Sequence, residues 1–309
     1  MQNEMLANEM LRKEMYLTDG GIETTLIFHN GIDLPEIAAF PLLADEAGRE
    51  TLIEYYERYI QIAAQSDVGF ILESPTWRAS AKWAQLLGYN RDDVTRFNAM
   101  AIDLLKVLKA RHESPSMPML ISGCIGPQDD GYSPAERMSA KEAELYHQHQ
   151  INALVEAGAD MVTAITMTYP EEAIGIVNAA KKAGVPAVIG FTVETDGRLP
   201  VGTPLPEAIE MVDSEAAGGP SYYMLNCAHP DHFDLTSNAW LDRIGGVRAN
   251  ASRMSHAELD ESETLDDGDP EEFGTLHADL KSKLKNLRVI GGCCGTDHRH
   301  VGCAAKLCT

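Results

Sequence analysis

Leu287-Arg288-Val289-Ile290-Gly291-Gly292-Cys293-Cys294-Gly295-Thr296 is the stretch on which the fold turns. It opens as a short apolar strand, residues 288–291, and the glycines then break it. Beyond the break the residues are polar, sulfur-bearing and flanked by glycine, so the strand delivers chemistry into the loop at its C-terminal end. The same arrangement recurs up the chain. Candidate strands cover residues 15–18, 70–73, 119–122, 161–166, 187–191, 222–226, 245–248 and 288–291. Several of them end in comparable text: Asp19-Gly20-Gly21, Glu73-Ser74-Pro75, Gly123-Cys124-Ile125-Gly126 and Asn226-Cys227.

Amphipathic stretches lie between these runs, for example residues 51–65, 94–111, 141–157, 171–183 and 206–217. Two of them stop at Ala157-Gly158 and Ala183-Gly184, where glycine offers the left-handed turn that ends helices. Strand and helix alternating eight times predicts an α/β fold, a (β/α)8 barrel in one domain over residues 15–309, behind an N-terminal tail of residues 1–14. An open doubly wound sheet is the competing fold. It calls for a Gly-x-Gly-x-x-Gly turn after an early strand, and the chain has none. In barrels the chemistry sits where strands end, so the polar and thiol strand ends read as an active-site rim.

Charge narrows the partners. A formal charge of −22, from 47 acidic and 25 basic side chains, repels phosphate backbones and anionic lipid. Nucleic-acid and membrane partners are therefore not expected, whereas a cationic small molecule is acceptable. Residues 258–272 hold nine carboxylates and no basic residue. With no calcium-loop spacing, the segment 255–272 reads as a solvated acidic loop. No apolar run reaches the roughly 20 residues that span a bilayer. The start of the chain, with Glu4, Glu9 and Glu14, lacks the basic and apolar regions of a signal peptide, so a cytoplasmic protein is expected.

Six cysteines in such a protein do not form a disulfide framework. Cys293 and Cys294 follow the eighth strand and Cys227 follows the sixth. Loops after strands six and eight are near neighbours on the rim, so the three sulfurs can converge. Glycine on either side permits the sharp turn by which adjacent cysteines face one ion. Three thiolates without a fourth protein ligand describe an open zinc site rather than a closed structural one. A substrate thiol can fill the open position, become a thiolate at neutral pH and attack an alkyl donor. The competing reading is a set of buried or redox cysteines. Cys124, Cys303 and Cys308 are expected to be packing or surface residues, and His298 and His300 are left outside the site.

With Gly291-Gly292-Cys293-Cys294-Gly295-Thr296, Asn226-Cys227 and Asp19-Gly20-Gly21 in place, residues 15–309 resemble the homocysteine S-methyltransferase family. Ser122-Gly123-Cys124-Ile125-Gly126-Pro127 is similar to the family's third-strand turn, with Cys124 where serine is common. The resemblance implies a (β/α)8 barrel, Zn2+ on Cys227, Cys293 and Cys294, and homocysteine methylated to methionine. It implies that Asp19 is the first-strand acid beside the amino-acid substrate, that Gly20, Gly21 and Asn226 belong to the substrate site, and that the chain can form a homo-oligomer. One departure stands out. Many relatives carry a glutamate at the end of strand four that binds the homocysteine amine, and here Met167 occupies that place. Glu73 or Glu194, at neighbouring strand ends, can compensate; otherwise the acceptor is a different thiol.

In the second-strand loop, Glu73-Ser74-Pro75-Thr76-Trp77-Arg78, Trp77 is suited to stack on a sulfonium or quaternary ammonium donor and Arg78 to take a carboxylate. Ordinary loop packing explains Trp77 as well. The chain leaves no room for separate folate or cobalamin domains, so the donor is expected to share the barrel mouth. S-methylmethionine, S-adenosylmethionine and betaine all qualify, with a sulfonium favoured. A metal-dependent lyase or hydrolase would want histidine and carboxylate ligands instead. A non-catalytic zinc- or thiol-binding protein is the remaining alternative.

Overall fold

Side chains on successive residues of each strand point alternately into and out of a cylinder, and both directions are buried. The computed structural model describes residues 11–216, 218–233, 235–236, 240–262 and 264–309. Its strands are β1 (Tyr16–Leu17), β2 (Gly69–Glu73), β3 (Met119–Ile125) and β4 (Met161–Met167). They continue with β5 (Ala187–Thr192), β6 (Tyr222–Asn226), β7 (Ile244–Ala249) and β8 (Val289–Gly292). All are parallel in sequence order, and β1 closes the barrel on β8 through Tyr16 beside Val289 and Leu17 beside Ile290.

Five long helices follow the first five strands: α1 (Glu46–Gln65), α2 (Arg91–His112), α3 (Ala140–Glu156), α4 (Pro170–Ala183) and α5 (Leu205–Glu215). α6 (Pro270–Lys283) follows β7 and α7 (His298–Cys308) follows β8. Among the described residues, the β6–β7 connection carries short 3-10 turns at Pro230–His232 and Leu241–Arg243 instead. Helices begin where caps permit rather than where apolar periodicity starts. Asp45 accepts from the Gly48 amide at 2.8 Å and opens α1 ahead of the expected residue 51. A capping box between Asn90 and Asp93 does the same for α2. α4 ends on Gly184 at φ 81°, as its sequence predicts.

Outward-facing residues such as Leu17, Leu72, Ile189, Phe191, Val247 and Ile290 are fully covered by the helices. Each such burial contributes about 1.5–3 kcal/mol. Inside, Tyr16, Ile71, Met161, Val188, Met224 and Val289 fill the lower barrel. Leu11 packs beneath them, and the Arg288 guanidinium clasps the Leu11 and Lys13 carbonyls. Residues 11–14 therefore plug the barrel floor; the rest of the expected tail, residues 1–10, lies outside the described residues.

One irregularity reorganises the rim. β4 and β5 pair regularly up to Ala164 beside Ile189, then resume at Met167 beside Phe191, so β4 carries an extra residue. Thr166 takes it up at φ 61°, and its amide is fixed by the Asn226 Oδ1 at 2.6 Å. An inserted residue reverses the facing of everything after it. Simple alternation would aim Met167 inward. The bulge turns it outward instead, where it is fully buried in the helix-facing core.

Candidate functional site

The three cysteines meet at the top of the barrel. Cys227 follows β6 with φ 48°, a left-handed conformation held by its amide on the Arg248 carbonyl at 3.0 Å. Cys293 and Cys294 follow β8. The Cys293 amide bonds the Ala249 carbonyl at 2.8 Å, and Thr296 Oγ1 bonds the Cys293 carbonyl at 2.7 Å. A Cβ at Gly292 would run into the Thr296 hydroxyl, and Gly295 at φ 76° supplies the turn that lets adjacent cysteines face one point.

The three sulfurs lie within 4.8 Å of one another, with Cys227 and Cys294 Sγ 3.5 Å apart. A tetrahedral metal with thiolate bonds near 2.3 Å sets sulfurs about 3.8 Å apart, so the donor set fits. Hydrogen bonds from Cys227 and Cys293 hold the Cys294 thiol well below the ordinary range, while burial pushes Cys227 well above it. Three negative sulfurs this close together need a cation among them. Cys124 stands outside the cluster, though it lines the cavity, and Cys303 and Cys308 lie on α7.

Two residues that the sequence reading missed complete this end. Tyr132, from the β3–α3 loop, sets its hydroxyl 3.0 Å from Cys227 Sγ and 3.2 Å from Cys294 Sγ. Burial raises its pKa far above the usual phenol value, so it stays a neutral O–H over the sulfurs. His256 lies against the Tyr132 ring at 4.1 Å between centroids. Its Nε2 bonds the Cys227 carbonyl at 2.8 Å and its Nδ1 bonds Glu194 at 2.9 Å. Only a glycine before Tyr132 hinted at a rim role, and nothing local marked His256.

His256 belongs to the acidic segment. The expected solvated loop 255–272 instead starts a short helix, His256–Asp260, and lays Leu259 and Leu265 into the mouth. Glu258, Glu261, Asp269, Glu271 and Glu272 are exposed while Leu259 and Leu265, with Asp266, face in, so the segment roofs a cavity of about 320 Å³. Ile22, Ile27, Phe28 and Ile37 supply much of the opposite apolar wall.

The remaining candidates fall into distinct groups. Asp19, Gly20, Gly21, Glu73, Trp77 and Arg78 line this cavity. Asn226 does not: its amide is spent on the Thr166 amide and the Arg248 carbonyl, so it braces the rim instead. Gly21 N–H is taken by Thr296. Asp19 is claimed by Arg248 at 2.9 Å and by the Tyr55 hydroxyl at 2.8 Å. Burial raises its pKa and Arg248 opposes the rise, leaving a buried ion pair rather than an acid open to substrate. Arg248, an arginine at a predicted strand end, carries a signal that strand position alone could have revealed.

Arg78 lies 3.4 Å over the Trp83 ring and 4.3 Å from Trp77, and Trp77 Nε1 bonds Thr166 at 3.0 Å. Trp77 thus already stacks on the protein's own cation. Arg78 keeps Nε and Nη1 buried without partners. Ile165 and Thr166, not Met167, present β4 to the cavity. Glu73 and Glu23 both line it, and burial pushes each up to about 7.

Comparison with known proteins bears on the family and the fold. The family described as homocysteine S-methyltransferase matches residues 16–308. Homocysteine S-methyltransferase 1 of Arabidopsis thaliana is 28% identical over 178 residues, 52% of this chain and 50% of that protein. The matched stretch spans about half the length of that curated relative. The homocysteine methyltransferase MmuM of Escherichia coli shares the fold. Its oxidised form has a TM-score of 0.71 at 19% identity, covering 96% of each chain. Its metallated form has a TM-score of 0.68 at 17% identity, covering 98% of each.

Proposed function

Because this chain belongs to the homocysteine S-methyltransferase family, we propose that it moves a methyl group from a cationic donor to the sulfur of a thiol of the homocysteine class, giving methionine from homocysteine. The observation that carries the reading is the convergence of Cys227, Cys293 and Cys294 within 4.8 Å at the edge of an apolar, roofed cavity. Those three residues would hold Zn2+ and leave one position open to the acceptor. Zinc, when bound, lowers the pKa of a thiol that joins it and keeps the sulfur nucleophilic at neutral pH.

The chain's own residues do the rest. Tyr132 and His256 hold the sulfurs and the Cys227 backbone in one arrangement. Leu259, Leu265 and the Ile22–Ile37 wall exclude water from the place where donor and acceptor meet. The acceptor's sulfur forms a bond to the methyl carbon as the donor's bond to that carbon breaks. The donor then leaves neutral, as a thioether from a sulfonium or a tertiary amine from a quaternary ammonium. A cavity rich in apolar surface and carboxylates suits a cation that loses its charge in the reaction. S-methylmethionine is the favoured donor, and the setting proposed is cytoplasmic. Among the described residues, no helix is long and apolar enough to cross a membrane.

The test pairs metal analysis with a matrix of donors and thiol acceptors read by mass spectrometry. About one zinc per chain and a methylated thiol product are expected. A zinc-loaded chain that methylates no thiol with any sulfonium or quaternary ammonium donor would leave the reading as zinc binding without catalysis.

A further inference from the structure

A thiol acceptor of the homocysteine class carries an ammonium group, and this cavity does not receive it at the expected acids. The end of β4 offers Ile165 and Thr166, because the bulge at Thr166 has turned Met167 into the core. Asp19 is already paired with Arg248 and bonded by Tyr55. Glu194 is bonded to His256 and does not line the cavity.

Glu73 is different. It is the last residue of β2, it lines the cavity, and it is 3% exposed. Neither carboxylate oxygen has a hydrogen-bond partner. The Ser122 and Thr163 hydroxyls are bonded to each other at 2.7 Å, which uses one of their two hydrogens, and both lie close enough to Glu73 to temper the rise in its pKa, so its carboxylate leans on two neutral hydroxyls and on no cation of its own. Buried polar atoms without partners are uncommon in folded proteins, and a pair on one carboxylate at a cavity wall marks a place where a ligand completes the bonding. The charge balance has the same sign. Asp19 and Glu73 share one guanidinium, Arg248, which sits on Asp19. An added cation would relieve the excess.

Resting on the methyl-transfer reading above, we infer that Glu73 is the ammonium-binding residue of the acceptor site, so that in this chain recognition of the acceptor's amine has moved from the end of β4 to the end of β2. The bonds are charge-assisted N–H···O contacts to both Glu73 oxygens. The groups facing Glu73 are Asp19 beyond β1, Tyr56 on α1, Cys124 on β3, Tyr222 on β6 and Arg248 on β7. Burial pushes Tyr56, Cys124 and Tyr222 upward, so they stay neutral near pH 7. Burial also pushes Glu73 up to about 7, so an ammonium beside it favours the ionised form and binding releases a proton.

The experiment is calorimetric titration of the zinc-loaded chain with homocysteine and with 4-mercaptobutanoate, which differs only in lacking the amine. Wild type should prefer homocysteine by about tenfold or more, and Glu73→Gln should remove that preference by weakening homocysteine alone. A preference that survives in Glu73→Gln, or that is lost in Glu23→Gln instead, overturns the assignment and leaves the methyl-transfer reading intact. Failure of both thiols to bind zinc-loaded wild type removes the methyl-transfer reading and the inference with it. If Glu73→Gln does not fold, wild type decides. The ratio of the two affinities should widen from about pH 6 to pH 8 as Glu73 ionises. A flat ratio overturns the assignment.

Discussion

The lower and upper interior of the barrel are built from the same strands, a residue or two apart, and do opposite work. Tyr16, Ile71, Met161 and Val289 fill the lower half with apolar volume. Two positions further along, the same strands turn Thr18, Glu73, Thr163 and Gly291 inward. Below, every contact is redundant, because many neighbours share the packing. Above, the groups depend on a few specific polar partners: Arg248 on Asp19 and the Gly292 carbonyl, Cys227 on Cys294 and Tyr132, Thr166 on Asn226 and Trp77. A parallel barrel concentrates stability at one end so that the other can hold costly polar groups.

The contrast is sharpest at the cysteines. Cys227→Ala, Cys293→Ala and Cys294→Ala should each drop bound zinc from about one ion per chain to near none and turnover to background, while the fold persists. Elemental analysis and circular dichroism read the two halves separately, and Cys303→Ala and Cys308→Ala should retain the metal. Full zinc in all three site variants would collapse the distinction.

Arg248→Met should cost about 3–5 kcal/mol, because it strands Asp19 in the interior. Combining it with Asp19→Asn should recover most of that loss. Urea denaturation of the single and double variants gives the coupling, and purely additive losses would mean that the pair is not the unit described.

In the lower half, Met224→Ala should cost about 2–5 kcal/mol in the same assay and leave zinc stoichiometry unchanged in the folded fraction. Zinc loss at a denaturant concentration where the variant is still folded would show that packing below reaches the metal above.

The smallest effect is set by pH. Glu73 sits at about 7 when folded against an ordinary 4.5. Between those values the folded chain keeps a proton that the unfolded chain releases, so stability falls as pH rises from about 4.5 to 7. Glu73→Gln should therefore exceed wild type by up to about 3 kcal/mol at pH 8, with the gap closing toward pH 4.5. Melting curves across that range, without acceptor, test the sign.

Much of this is legible in the sequence. Eight apolar runs and their glycine-marked ends predict the closed barrel, which the structure shows. Cys227, Cys293 and Cys294 are legible as a converging set because each lies directly after a strand and the ends of β6 and β8 are near neighbours on the rim. What escapes depends on distant partners. Asp19 reads as a free acid until Arg248 is seen 2.9 Å away. Tyr132 reaches the sulfurs from a long loop whose path no periodicity encodes. The acidic segment reads as solvated from its carboxylates, yet Leu259 and Leu265 decide where it lies. Met167 is misplaced by alternation because alternation assumes regular pairing, and no composition signal announces a bulge held by Asn226.

That bulge also shapes what mutation can reach. A codon change at Met167 looks like the shortest road to an acid at the end of β4. Here that road leads into the layer between barrel and helices, where a carboxylate would meet Phe191 and its apolar neighbours. Turning that position toward the cavity would take a deletion that restores the pairing of β4 with β5, and a single-residue deletion inside a barrel strand is a far rarer event than a point substitution. What the end of β4 shows to the cavity is therefore set by the frame of one strand rather than by the identity of one side chain.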